Sequence, residues 1–191
     1  VLEMAHVIKK YKMHFLLDFH YSDYWADPGQ QNKPDAWKNL SFDELKEAVH
    51  KYTYDVLYRL KIMDCAPDMV QIGNEIRSGM LFPDGAVPQY RQLAALVNEG
   101  IRAVRELLPE TKVMIHLDQG GRYNCIMPWF DSMFNAGMLP IDAIGLSFYS
   151  FWHGTFMDLK DTMSRLIKLY NLPVYIVETA HPWRHCKGDH I

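Results

Sequence analysis

Cysteine is scarce in this chain of 191 residues. Cys65, Cys125 and Cys186 are odd in number and far apart, which excludes a disulfide framework as the basis of the fold, although one pair remains open. No uninterrupted apolar run approaches the roughly 20 residues that cross a bilayer. The N-terminal V-L-E-M-A-H also lacks a basic segment followed by an apolar one, so neither a membrane partner nor a targeting address is visible. Basic stripes are missing too: 20 Lys and Arg stand singly against 23 Asp and Glu, for a net charge of −3, which argues against a nucleic-acid partner. No apolar segment runs into G-x-G-x-x-G or G-x-x-x-x-G-K-S/T, the loops of common nucleotide binders. His181, His185, Cys186 and His190 lack the C-x-x-C spacing of structural zinc sites. Solvent-facing His and Cys are the commoner case for such a run, and no metal is assigned there.

What is present is core material, with 49% of residues hydrophobic and 13% aromatic, enough for one globular domain or part of one. Five short segments, residues 15–19, 68–73, 112–117, 142–149 and 173–178, are nearly all apolar, the pattern of parallel strands covered on both faces. Helical patterns lie between them. The clearest covers residues 41–60, where Ser41 and Glu44 form a capping box and Leu45, Val49, Tyr52, Val56 and Leu60 recur at helical spacing. Others run over 89–108 and 159–170. This alternation predicts an α/β chain, either a doubly wound sheet or a β/α barrel.

Polar residues choose between the two. Asp18, His20 and Asp23 follow the first strand; Asn74 and Glu75 the second; His116 and Asp118 the third; Tyr149, Trp152 and His153 the fourth; Glu178 closes the fifth. Reactive groups contributed by several strand ends are the habit of a barrel enzyme, whereas a doubly wound sheet concentrates them at one switch point.

The segments V-Q-I-G-N-E and V-Y-I-V-E-T each end an apolar strand on a glutamate, Glu75 and Glu178. An unpartnered buried carboxylate costs several kcal/mol. A single such residue reads as a helix cap or an ion-pair member. Two of them on one sheet, among His, Asn, Tyr and Trp, are what glycoside hydrolysis requires: one protonated to donate to the leaving oxygen, the other ionised to attack the anomeric carbon. The Asn74 amide is placed to meet a sugar hydroxyl. The stretch H-Y-S-D-Y-W-A-D-P-G-Q-Q-N-K-P-D-A-W (20–37) sets Tyr21, Tyr24, Trp25 and Trp37 among acids and amides, with Pro28 and Gly29 forcing a turn. Aromatic faces suit pyranose rings, so the loop reads as sugar-binding, with Trp37 more an anchor to the following helix than a substrate contact.

These segments, with V-Q-I-G-N-E-I-R-S-G-M-L, I-G-L-S-F-Y-S-F-W-H-G-T and V-E-T-A-H-P-W, resemble the arabinogalactan endo-β-1,4-galactanases of glycoside hydrolase family 53 over essentially the whole chain. The resemblance implies a (β/α)8 TIM barrel that cleaves internal β-1,4-galactosidic bonds of type I galactan or arabinogalactan with retention. It places Glu75 as acid/base and Glu178 as nucleophile. His20, Asp23, Trp25, Asn74, His116, Asp118, Tyr149, Trp152, His153 and Trp183 fall at positions in or near the substrate cleft. His116 or Tyr149 would hydrogen-bond Glu178, and the two carboxyls would lie roughly 5 to 5.5 Å apart. It implies no required cofactor, since the calcium of some bacterial members sits in a late loop beyond Ile191. A monomer is expected, and a plant-wall polymer argues for secretion to the extracellular space.

One departure is His181, where the family carries tyrosine in E-T-A-Y-P-W, which bears on contacts near Trp183. Another is length. The strands match barrel strands three to seven, and complete barrels usually need about 250 residues. The 1–191 segment is therefore expected to be a partial TIM-barrel catalytic domain of a longer protein. Other readings stay open: a retaining endo-β-glycanase acting on xylan or glucan, or a non-catalytic carbohydrate-binding barrel. A metal-dependent hydrolase using His20, Asp23, His116 and Asp118 lacks the H-x-H that barrel metallohydrolases carry on an early strand.

Overall fold

The structure, a computed structural model, describes residues 1–181. In chain order its elements are α1 (Leu2–Lys10), β1 (Leu16–Phe19), α2 (Phe42–Ile62), β2 (Met69–Ile72), a small hairpin of β3 (Gly79–Met80) and β4 (Gly85–Ala86), and α3 (Tyr90–Leu107). Then follow β5 (Lys112–Leu117), α4 (Tyr123–Asn135), β6 (Ala143–Phe148), α5 (Ser150–His153), α6 (Phe156–Tyr170) and β7 (Val174–Thr179). The main sheet has the order β1-β2-β5-β6-β7, and every pairing in it is parallel. Each of its strands thus lies beside the next one in the chain, and no reversal of order creates a switch point. That progression belongs to a barrel and not to a doubly wound sheet.

The five expected strands agree with the observed ones within about one residue at each end. Helix α2 begins at the Ser41 cap, with the Ser41 and Glu44 side chains satisfying each other's backbone N–H groups. Leu45, Val49, Thr53, Leu57 and Leu60 form its buried stripe. Tyr52 and Val56 turn out differently from the spacing: Tyr52 is exposed and Val56 half-buried, because they face a hollow beside edge strand β1. Helix α6 starts earlier than the pattern over 159–170, at a second capping box formed by Thr155 and Asp158. Helix α4 is not legible from apolar spacing because Pro128 sits inside it, where a proline normally interrupts the backbone ladder. Buried Ile126, Trp129, Phe130 and Met133 hold it against the core all the same.

The core lies between the sheet and its helices, with Val70, Ile72, Val113, Ile115, Ile144 and Leu146 from the central strands fully buried. Each such side chain contributes about 1.5 to 3 kcal/mol relative to exposure. Leu16 and Tyr175, on the two edge strands, are 39% and 42% exposed. Among the described residues the sheet is open at both edges, as a barrel missing some of its strands must be.

Candidate active site

The polar ends of the strands meet above the C-terminal edge of the sheet. Gly73 makes the turn out of β2 with φ of +79°, and a Cβ there would come within 2.6 Å of Ile76 Cγ2. Glu75 is itself in the left-handed region, at φ 50° and ψ 45°. Such a conformation is uncommon for a residue with a side chain, and here it re-aims the carboxyl from the strand direction into the cleft. Glu75 precedes a 3-10 turn, Ile76–Ser78, yet its side chain makes no cap bond. Among the described residues neither Glu75 nor Glu178 joins an ion pair, so for Glu75 neither a cap nor a paired cation among those residues explains the carboxyl.

Glu178 reaches the same place by a slip in register. Gly145 on β6 adjoins Met114 Sδ and Val177 Cγ2, so Met114, Gly145 and Val177 share the face inside the curve of the sheet. Strict alternation would send Glu178 to the opposite face. The β6–β7 register shifts between Leu146 and Ser147, pairing Ser147 with Glu178 instead of Val177. An extra residue of this kind bends a strand and redirects a side chain. As a result carboxyl oxygens of Glu75 and Glu178 and a ring nitrogen of His116 all lie within 4.8 Å of one another.

A hydrogen-bonded row crosses four strands beneath the two carboxyls. His20 Nε2 lies 2.7 Å from Asp18 Oδ2, and Gln71 Nε2 donates to Asp18 Oδ1 at 2.6 Å and to Asn74 Oδ1 at 3.2 Å. Asn74 Nδ2 donates to the Ala26 carbonyl at 2.9 Å, while its Oδ1 meets His116 Nδ1 at 2.8 Å. His116 Nε2 meets Ser147 Oγ at 2.8 Å, and Ser147 Oγ meets Glu75 Oε1 at 2.5 Å. On the other side, Tyr149 donates its hydroxyl hydrogen to Glu178 Oε2 at 3.0 Å.

Burial and neighbouring charge set the protonation states. Burial, followed by the charges of Glu178, Asp118 and Asp27, pushes Glu75 up to about 7. Burial pushes His116 down to about 3, and the nearby His20 adds to that. Burial and then the bond to Glu178 raise Tyr149 to about 12. The bond to Asp18 raises His20.

Trp25, Glu75, Asp118, Tyr149, Trp152, His153 and Glu178 line one open cleft of about 460 Å³. Trp25 and Trp152 stand exposed at 68% and 55%. Asn74 and His116 lie buried beneath it. His20 and Asp23 line a neighbouring hollow beside β1. Asp23 Oδ2 accepts the Asp35 backbone N–H at 2.7 Å, which ties the long loop to itself. Asp118 accepts from Arg77 Nε at 2.7 Å, and His153 is buried with its Nδ1 3.0 Å from the Ser147 carbonyl. His116 meets Asn74 and Ser147, so of the two expected partners of Glu178 it is Tyr149 that makes the bond. Trp37 packs on the core, with its ring 5.9 Å from that of Tyr52, as a loop anchor does. Trp183 and the His185, Cys186 and His190 run lie outside the described residues.

The sequence pattern did not single out Gln71, Ser147, Asp27, Arg77 or Gln119. Gln71 and Ser147 each carry a signal, a lone polar residue inside an apolar strand. Gln119 lines the cleft, and its Oε1 is buried without a hydrogen-bond partner.

Distance alone would let Glu75, His116 and Glu178 take a cation. Both ring nitrogens of His116 are already engaged, however, leaving no lone pair free for coordination. Among the described residues, no three of His20, Asp23, His116 and Asp118, the residues of the metallohydrolase reading, bring their ligand atoms together as a metal site requires.

The profile of the family described as "Glycosyl hydrolase family 53" matches residues 1–191. An uncharacterized protein in the bgaB 5' region of Niallia circulans is 48% identical over 188 residues, covering 94% of this chain and 51% of that protein. An arabinogalactan endo-β-1,4-galactanase of Thermothelomyces thermophilus is 35% identical over 173 residues, covering 87% of this chain and 52% of that enzyme. The GH53 catalytic domain of Ignisphaera aggregans superposes with a TM-score of 0.93 at 40% identity, over 99% of this chain and 52% of that one. The chain spans about half the length of the curated relatives it matches. A match to the family over the whole chain and a matching backbone together mean that this chain belongs to glycosyl hydrolase family 53 and forms part of its (β/α)8 barrel.

Proposed function

We propose that the whole protein is a retaining endo-β-1,4-galactanase acting on type I galactan or arabinogalactan. The observation that carries this reading is the approach of the Glu75 and Glu178 carboxyls within 4.8 Å across an open cleft. Retaining glycosidases hold their two carboxyls roughly 5 to 5.5 Å apart, whereas inverting enzymes leave roughly 6.5 to 9.5 Å for a water. Glu178 attacks the anomeric carbon while Glu75 gives its proton to the departing glycosidic oxygen. Glu75, now a carboxylate, then deprotonates the water that releases the sugar from Glu178. The negative Glu178 helps hold the proton on Glu75 before the first step, and esterification of Glu178 removes that help before the second.

Trp25 and Trp152, exposed in the cleft that the two carboxyls line, offer aromatic surface to the sugar. The choice of galactan over xylan or glucan draws on family membership and on relatives named as arabinogalactan endo-β-1,4-galactanases. Catalysis needs no cofactor in this scheme. The protein works as a monomer and acts outside the cell, where a polymer of this size is found.

The test is reducing-sugar release by the whole protein from galactan, xylan and cellulose. Galactan alone should be cleaved, and Glu75→Gln or Glu178→Gln should abolish turnover. Galactan binding without turnover in the parent protein would instead favour a carbohydrate-binding barrel.

A further inference from the structure

We propose that the row Asn74–His116–Ser147 has a fixed hydrogen-bond direction that ends by accepting a proton from Glu75, making His116 and Ser147 positioning residues that hold Glu75 as the neutral acid. The proposal deepens the acid/base role given to Glu75 above and rests on it for its catalytic meaning.

The direction is set at the far end. The Ala26 carbonyl can only accept, so the Asn74 atom 2.9 Å from it is the amide nitrogen. Asn74 Oδ1 therefore faces His116 Nδ1, and since that oxygen can only accept, Nδ1 carries the hydrogen. His116 is fully buried and its ring nitrogens meet only the neutral Asn74 and Ser147, so it is the uncharged imidazole. With its single hydrogen on Nδ1, Nε2 must accept, and the Ser147 hydroxyl hydrogen points to it. Ser147 has no other hydrogen. The contact between Ser147 Oγ and Glu75 Oε1 can then be bonding only if the hydrogen belongs to Glu75.

The surrounding charges act the same way. Glu178, Asp118 and Asp27 face Glu75 with negative charge, while Arg77 is bound by Asp118 and His20 by Asp18. Once Glu75 has given up its proton, a carboxylate oxygen and a serine lone pair are left facing each other. The row thus favours return of the proton at the end of each cycle.

Two measurements on the whole protein test this without galactan. In the first, ¹⁵N NMR of labelled histidine should show His116 neutral with its hydrogen on Nδ1 at neutral pH. A hydrogen on Nε2, or an imidazolium, would overturn the proposal. In the second, the Glu75 carboxyl is titrated by ¹³C NMR in wild type and in Ser147→Ala. Loss of an acceptor for the acid form should lower its midpoint by roughly half to one pH unit. A rise, the signature of a lost donor to the carboxylate, would overturn it, and so would an unchanged midpoint. Should Ser147→Ala fail to fold, the His116 measurement decides alone. A protein inactive on galactan that passes both measurements loses the proposed function and keeps the hydrogen-bond direction; an active one with the opposite shift loses the direction only.

Discussion

The hydroxyl of Tyr149, at the end of β6, donates to Oε2 of Glu178 on β7 over 3.0 Å. Because Tyr149 is raised to about 12 it remains a donor at every pH at which the protein would work. A single donor of this kind fixes which oxygen of the carboxylate is free to react. Its removal by Tyr149→Phe should lower kcat by roughly tenfold to a hundredfold, the value of a hydrogen bond to a charged group. Thermal unfolding should hardly change, since Tyr149 is half-exposed and its ring stays in place. A variant with unaltered kcat would remove Tyr149 from the site.

Glu75 gives the pH dependence. An acid held near 7 must be protonated to act, so kcat/KM should fall as pH rises through about 7. The linkage runs opposite to that of an ordinary paired carboxylate. The folded value lies above the unfolded one, so between the two the native state binds more protons and stability declines as pH rises. Glu75→Gln should therefore be more stable than wild type above pH 7 by about 1 to 3 kcal/mol, after allowance for solvent reaching the cleft, with the difference vanishing near pH 4. Urea denaturation at several pH values measures it. A variant less stable than wild type at high pH would contradict the assignment.

Gly73 tests the link between backbone and chemistry. A Cβ at φ of +79° and 2.6 Å from Ile76 Cγ2 forces either the turn or Ile76 to move. Gly73→Ala should cost about 1 to 3 kcal/mol. It should also reduce galactan turnover more than that loss of stability accounts for, because Glu75 hangs on the same turn. Denaturant unfolding together with kinetics at saturating galactan separates the two effects.

Ser41 serves as a control remote from the cleft. Its hydroxyl oxygen accepts the Glu44 backbone N–H at the start of α2. Ser41→Ala should lower stability by about 1 kcal/mol and leave kcat unchanged.

Much of this was legible in the sequence because it is local. Nearly all-apolar runs marked all five main strands, and the Ser41 and Glu44 pair marked the start of α2. Glu75 and Glu178 stood out because a charged residue ending a buried strand needs a reason. What escaped depends on contacts distant in the chain. Pro128 hides α4, which is held by packing and not by propensity. Tyr52 fits the helical stripe yet faces the open edge beside β1. The bond from the Asp35 backbone to Asp23, and the pairing of cleft-lining Asp118 with Arg77, join residues too far apart in the chain to be read from it. Ser147 stands out in I-G-L-S-F-Y only as a lone polar residue, because its partners His116 and Glu75 come from other strands. Such a row exists only once four strands are side by side.

Stereochemistry at the anomeric carbon tests the central claim most directly. ¹H NMR of the sugar first released from galactan by the whole protein, recorded before mutarotation, should show the β-anomer, because two displacements at paired carboxyls restore the starting configuration. An initial α-anomer would mean a single displacement by water and would contradict the roles given to Glu75 and Glu178.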